Sequence, residues 1–199
     1  MVPRPPTSGR MMPHDSAHAL TPEALPDAAA ALVRAFSDLL PDLIPLPAAA
    51  LPADARALLD HEGGMTSALE GHWGRAMTLQ VLGTRPADGR VSRAVTLSAA
   101  GAGVPAELGL ITIRLEALPP ALRPAVLAGT VPFGRVLADG GIGFSSRPCA
   151  FFRLRADTAL ADILRVAEGA TLFGRATVLR DGAGRVLAEA MEILSGHAP

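Results

Sequence analysis

Arg93 and Glu192 are the residues whose type and placement ask for chemistry. Arg93 alternates with Val91, Val95 and Leu97, so a strand over 91–97 that buries those three side chains carries a guanidinium to the same interior. A buried cation without a partner is costly, and the arginine fork matches a planar carboxylate through two parallel hydrogen bonds. The pattern leaves two partners open, a protein carboxylate or a ligand carboxylate. Glu192 stands in register with Val186, Ala188, Ala190 and Leu194, while its neighbour Glu189 shares the other face with Leu187, Met191 and Ile193. Both faces are apolar, so the strand reads as covered on both sides and does not choose between the two glutamates. Either Arg93 and Glu192 pair directly across the core, or a ligand separates them, offering a carboxylate to one and a hydroxyl to the other.

Other chemistries lack their residues. Cys149 is the only cysteine, which rules out an intrachain disulfide, a CxxC redox pair and a cysteine-based zinc site. Of His14, His18, His61, His72 and His197 only His14 and His18 stand one helical turn apart, in a Pro-rich segment without helical periodicity, and no metal or cofactor is expected. The net charge is −1 and all the basic residues are arginine, with no basic stripe, so nucleic acid is not an expected partner. Hydrophobic residues at 49% against 19% charged residues describe a chain able to bury a core. Nothing in the first twenty residues has the apolar run of a signal peptide, and no stretch reaches the roughly 20 apolar residues of a membrane span. A cytoplasmic protein without membrane insertion is expected; the oligomeric state is not fixed by the sequence, with a monomer as the working expectation.

These side chains need elements to hold them. Residues 1–20, rich in Pro, Ser, Met and His, show no periodicity and are expected to be disordered, leaving a single domain over 21–199. Thr21-Pro22-Glu23 opens a helix that runs to Leu40, and a second short helix spans Pro52 to His61, stopped by Gly63-Gly64; Thr66 caps a further helical turn. From Met77 the grammar turns to strands: Met77–Leu82 and Val91–Leu97 as a hairpin around a loop with Pro86, Asp88 and Gly89, then Leu108–Leu115, Cys149–Arg155, Leu172–Leu179 and Val186–Leu194. The last two are joined by Asp181-Gly182-Ala183-Gly184. Leu118–Leu127 and Pro132–Leu137 read as helical. The predicted class is α+β, a largely antiparallel β-sheet backed by helices.

Gly64-Met65-Thr66, Ser92-Arg93-Ala94-Val95-Thr96-Leu97, Pro132-Phe133-Gly134-Arg135-Val136-Leu137, Leu172-Phe173-Gly174-Arg175 and Met191-Glu192-Ile193-Leu194 follow one another in the order and approximate spacing of the chorismate lyase family. The chain resembles a divergent member of that family over residues 60–195. The resemblance implies a buried pocket closed by mobile segments and a cofactor-free elimination in which chorismate yields 4-hydroxybenzoate and pyruvate. Carried over by position, Arg93 and Glu192 are the pocket's arginine and glutamate, the first anchoring a carboxylate and the second holding the ring hydroxyl. Met65 and Phe133 line the pocket and present backbone N–H groups, with Phe133 in place of the usual leucine. Arg175 is the expected second guanidinium, for the enolpyruvyl carboxylate. Where known members carry an aromatic residue and an arginine on the strand after Gly-x-Pro, this chain has Ala106 and Leu110, so Leu110→Arg is expected to restore a lost cationic contact. Gly174-Arg175-Ala176-Thr177 also departs from the family's Gly-Arg-Arg-Ser. Whether a 3-hydroxy or a 4-hydroxy product leaves is open.

The same fold resembles effector-binding domains of bacterial transcription regulators, which sense a small molecule without altering it. Those domains normally follow a basic winged helix, and residues 1–60 carry only Arg4, Arg10, Arg34 and Arg56, too little for a DNA-reading module. A non-catalytic binder of aromatic carboxylates is the alternative to the lyase.

Overall fold

The computed structural model describes Phe36, Asp38 and residues 40–199. The helix expected from Thr21 to Leu40 and the first twenty residues lie outside the described residues, those three positions apart. Seven strands form one sheet: β1 (Ile44–Leu46), β2 (Met77–Ala87), β3 (Arg90–Ala99), β4 (Glu107–Arg114), β5 (Phe144–Arg155), β6 (Thr171–Asp181) and β7 (Val186–Leu194). Their order is β1-β5-β6-β7-β4-β3-β2, and every neighbouring pair is antiparallel. Two runs of consecutive strands, β2-β3-β4 and β5-β6-β7, therefore meet along a single seam between β4 and β7.

Among the described residues five α-helices cover the sheet: α1 (Ala53–Leu59), α2 (Met65–Trp73), α3 (Arg123–Ala128), α4 (Phe133–Asp139) and α5 (Thr158–Leu164). The period of two sends Leu108, Leu110, Ala176, Met191 and Ile193 to one face, where they pack with Leu160 and Leu164 of α5. The other face is covered in two places. Ile113, Leu179 and Ala190 pack with Val126 of α3 and with Val136 and Leu137 of α4. Leu97 and Leu194 pack with Leu59 of α1 and with Met65, Leu69 and Trp73 of α2. Between these two clusters no helix of the described residues covers the sheet, and the cavity described below opens there.

Local chemistry explains where the elements depart from expectation. β2 runs on to Ala87, through a bulge between Val81 and Gly83, and so includes Pro86. It is an edge strand, where a missing N–H need leave no ladder partner unpaired. The hairpin loop shrinks to Asp88-Gly89, with Gly89 at φ +67°. Thr66 is not the cap of α2: Gly64 occupies that position and the helix starts at Met65. The segment expected to be helical over 118–127 is broken by its prolines into a 3-10 turn, Pro120–Leu122, and the short α3. Helix α5 and strand β1 were not expected. Asp157 caps α5 by accepting a hydrogen bond from the Leu160 N–H at 2.9 Å, and Leu160, Ala161 and Leu164 face the core.

Candidate functional site

The sheet register sets the side chains of the uncovered face in rows. One row runs Val95, Gly109, Glu192, Arg175 across β3, β4, β7 and β6. The next runs Arg93, Ile111, Ala190, Thr177 over the same strands, and on the other side Leu97, Glu107 and Leu194 make a third. All of these but Arg175, Thr177 and Leu194 floor a cavity whose sides come from Gly64, Met65 and Thr66 at the start of α2 and from Pro132, Phe133 and Gly134 at the start of α4. Leu79, Ile113, Val131, Phe144 and Leu179 complete an apolar lining. The cavity, with the open solvent at its mouth, holds about 690 Å³ of space free of protein atoms.

Arg93 is 5% exposed. Its Nη2 donates to the carbonyl of Val126, near the carboxy end of α3, which also accepts from the Gly129 N–H at 3.2 Å and where the helix dipole favours a cation. Among the described residues no carboxylate pairs with it. Burial lowers its pKa from the ordinary guanidinium value, yet a guanidinium stays protonated. Gly129 follows α3 at φ +64°, and a Cβ there would stand 3.2 Å from Arg93 Nη1, so only glycine lets the chain turn over the guanidinium at this closeness.

Glu192 does not pair with Arg93. Its Oε2 accepts from Arg175 Nε at 2.5 Å, across the β6-β7 register. Three more of the five N–H groups of Arg175 are engaged: Nη1 donates to the carbonyls of Leu59 and His61, each at 2.9 Å, and Nη2 to Gly63 at 3.3 Å. Arg175 is fully buried, is not among the cavity's lining residues, and ties the end of α1 and the loop leading into α2 to the sheet. The expectation that it faces the ligand as a second guanidinium is therefore corrected; its place is behind Glu192, holding that carboxylate. His61 is part of this loop, its pKa lowered first by burial and then by Arg175, and its Nδ1 accepts from the Gly63 N–H at 3.0 Å.

The two glutamates of β7 separate by face. Glu189 leaves the cavity side and pairs with Arg114 at 2.5 Å, whereas Glu192 lines the cavity. Leu110 is corrected too. It borders the cavity, but its side chain packs in the core on the α5 side with Leu108, Met191 and Ile193, so an arginine there would start from that core. The residue of β4 that faces Glu192 is Gly109.

Glu107 was missed. It lines the cavity at 2% exposure, and its Oε2 has no hydrogen-bond partner among the described residues. Burial first, then the neighbouring Glu192, push its carboxyl well above the usual carboxylate range, against an opposing pull from Arg175. The signal was present, since Glu107 continues the alternation of Gly109, Ile111 and Ile113; starting the strand at Leu108 left it in the preceding loop.

No family model matches this sequence, and neither does any curated protein. Solved structures are similar in fold. The effector domain of PhnF from Mycobacterium smegmatis superposes with a TM-score of 0.53 at 13% identity, over 67% of this chain and 89% of that one. A second structure of PhnF from the same organism gives 0.53 at 14% identity, covering 67% of this chain and 64% of the other. The gene product SA0254 from Staphylococcus aureus gives 0.51 at 12% identity, over 70% and 93%. The seven-stranded antiparallel sheet backed by helices is thus a fold that these structures share. At these identities the likeness is one of fold.

Proposed function

We propose that the chain binds a small ring compound bearing one carboxylate, of the aromatic carboxylate class, in the cavity between α2, α4 and the sheet. The observation that carries this reading is Arg93: a buried guanidinium that opens into an apolar cavity and has no protein carboxylate among the described residues. A ligand carboxylate completes it by two parallel hydrogen bonds. The free N–H groups in the first turn of α2 border the same cavity. Arg93 and Glu192 stand two strands and one row apart, about 12 Å between Cα atoms by ordinary strand spacing, so a ring compound bridges them where a direct ion pair does not. Glu192, already held by Arg175, accepts a hydrogen bond from a hydroxyl at the far end of the ring. The fold's occurrence in a domain described as an effector domain supports binding without turnover.

A second reading, elimination of pyruvate from chorismate, is favoured by one observation: the arginine and glutamate that the family resemblance assigns to the pocket do line one cavity here. In that reading Arg93 anchors the ring carboxylate, Glu192 orients the ring hydroxyl, and the ring proton and enolpyruvyl group leave as pyruvate, driven by aromatisation. Calorimetric titration with 4-hydroxybenzoate, beside incubation with chorismate and an assay for pyruvate, tests both. Binding without pyruvate release is the expected result. Pyruvate release that depends on Arg93 replaces the first reading by the second, and absence of both binding and turnover overturns the site.

A further inference from the structure

Glu107 is the cavity's least explained group. It comes from the first residue of β4, in the row next to Glu192, and Gly109 between them contributes no side chain. A Cβ at Gly109 would lie 3.3 Å from Glu107 Oε1 and 3.2 Å from Val95, so the bare backbone there leaves the Glu107 carboxyl access to the space before Glu192. A carboxyl oxygen this deeply buried without a partner is costly and needs an explanation. Cavity charge supplies one. Arg93 and Arg175 bring two positive charges and Glu192 one negative, so a single ligand carboxylate brings the sum to zero only when Glu107 carries its proton. A carboxyl in that state is a hydrogen-bond donor.

We propose that Glu107 is a specificity-determining residue of this cavity, its Oε2 donating a hydrogen bond to an uncharged oxygen of the bound carboxylate compound, beside the point where Glu192 accepts one. The inference rests on the binding reading above and deepens it. A hydroxyl meets both groups at once, giving its proton to Glu192 and receiving one from Glu107. A second carboxylate at that end of the ligand meets the negative Glu192 and is refused, and a bare ring edge leaves the Glu107 donor unpaired. The charged groups around Glu107 are Glu192 on β7, Arg175 on β6 behind it and Arg93 on β3; the other cavity-lining residues carry no charge. The site therefore selects monoanions with a neutral hydroxyl opposite the carboxylate.

The test is calorimetric titration of benzoate, 4-hydroxybenzoate and benzene-1,4-dicarboxylate into the wild type, Glu107→Gln and Glu107→Met. The wild type is expected to prefer 4-hydroxybenzoate to benzoate and to bind the dicarboxylate weakest. Glu107→Gln keeps a donor and should keep the preference, whereas Glu107→Met should lower the 4-hydroxybenzoate-to-benzoate affinity ratio by about three- to tenfold. Should Glu107→Met fail to fold, Glu107→Ala carries the same comparison. An unchanged ratio in the apolar variant, or a gain in affinity for every carboxylate, overturns the role of Glu107 and leaves the Arg93 site standing. A wild type that binds none of the three overturns both.

Discussion

Arg93 has two jobs that a single substitution separates. Removing one partner of a buried, hydrogen-bonded charge pair costs about 2–5 kcal/mol, so Arg93→Ala should weaken binding of 4-hydroxybenzoate by roughly 30- to 5,000-fold, with Arg93→Lys restoring part of it because charge returns without the fork. The hydrogen bond to Val126 adds a smaller loss of stability, read by thermal melting beside the titration. Arg175 should behave in the opposite way. Its loss leaves the Glu192 carboxylate and three main-chain carbonyls without their donor, so Arg175→Met should cost about 3–5 kcal/mol in urea unfolding, and adding Glu192→Leu should return part of that loss. An Arg175→Met variant of wild-type stability that only binds more weakly would reinstate Arg175 as a ligand contact. Part of this scale was legible in the sequence, because a charge in an alternating apolar run betrays its face: Arg93 was visible that way, whereas Glu192, on a strand apolar on both faces, was singled out by the family resemblance. Their partners were not. That Glu192 meets Arg175, and Glu189 meets Arg114, depends on strand register, which no local pattern records.

Elements were legible in proportion to how much local chemistry fixed them. The long strands β3, β6 and β7 follow from period-two alternation, and β7 has the predicted bounds, Val186–Leu194. Helix α5 escaped because seven residues give fewer than two full turns of pattern, although Asp157 three residues before Leu160 marks its start. The carboxy ends of the short helices carry a lesson of their own. Arg93 donates near the end of α3 and Arg175 donates at the end of α1, so two buried arginines of the sheet face hold two cover segments in place. Gly129 makes the first of these contacts possible. Gly129→Ala forces a side chain into left-handed backbone and against Arg93, and should lower stability by about 1 kcal/mol or more while weakening ligand binding, both read by thermal melts with and without 4-hydroxybenzoate. A variant that loses stability but keeps its affinity would show that the turn does not set the position of Arg93.

For the whole molecule, the buried Glu107 proton links stability to pH. The carboxyl holds its proton in the folded state at pH values where the unfolded chain, near the ordinary value of 4.5, releases it. Stability from this group is therefore complete below that ordinary value and declines as pH climbs toward the raised one. The melting temperature of Glu107→Gln, relative to wild type, should rise as pH climbs above the ordinary value of 4.5, and a constant difference would mean that the group titrates normally. The seam between β4 and β7 has a consequence in time. Arg93 and Glu107 belong to the β2-β3-β4 run and Arg175 and Glu192 to the β5-β6-β7 run, and the seam joins residues as distant in sequence as Arg114 and Glu189, 75 positions apart. Hairpins within each run close short loops and form early, whereas pairing across the seam waits on a long loop closure and is the slow step of folding. A ligand that touches both runs finds its site only after that step, so saturating 4-hydroxybenzoate should leave the refolding limb of a chevron unmoved and slow the unfolding limb alone.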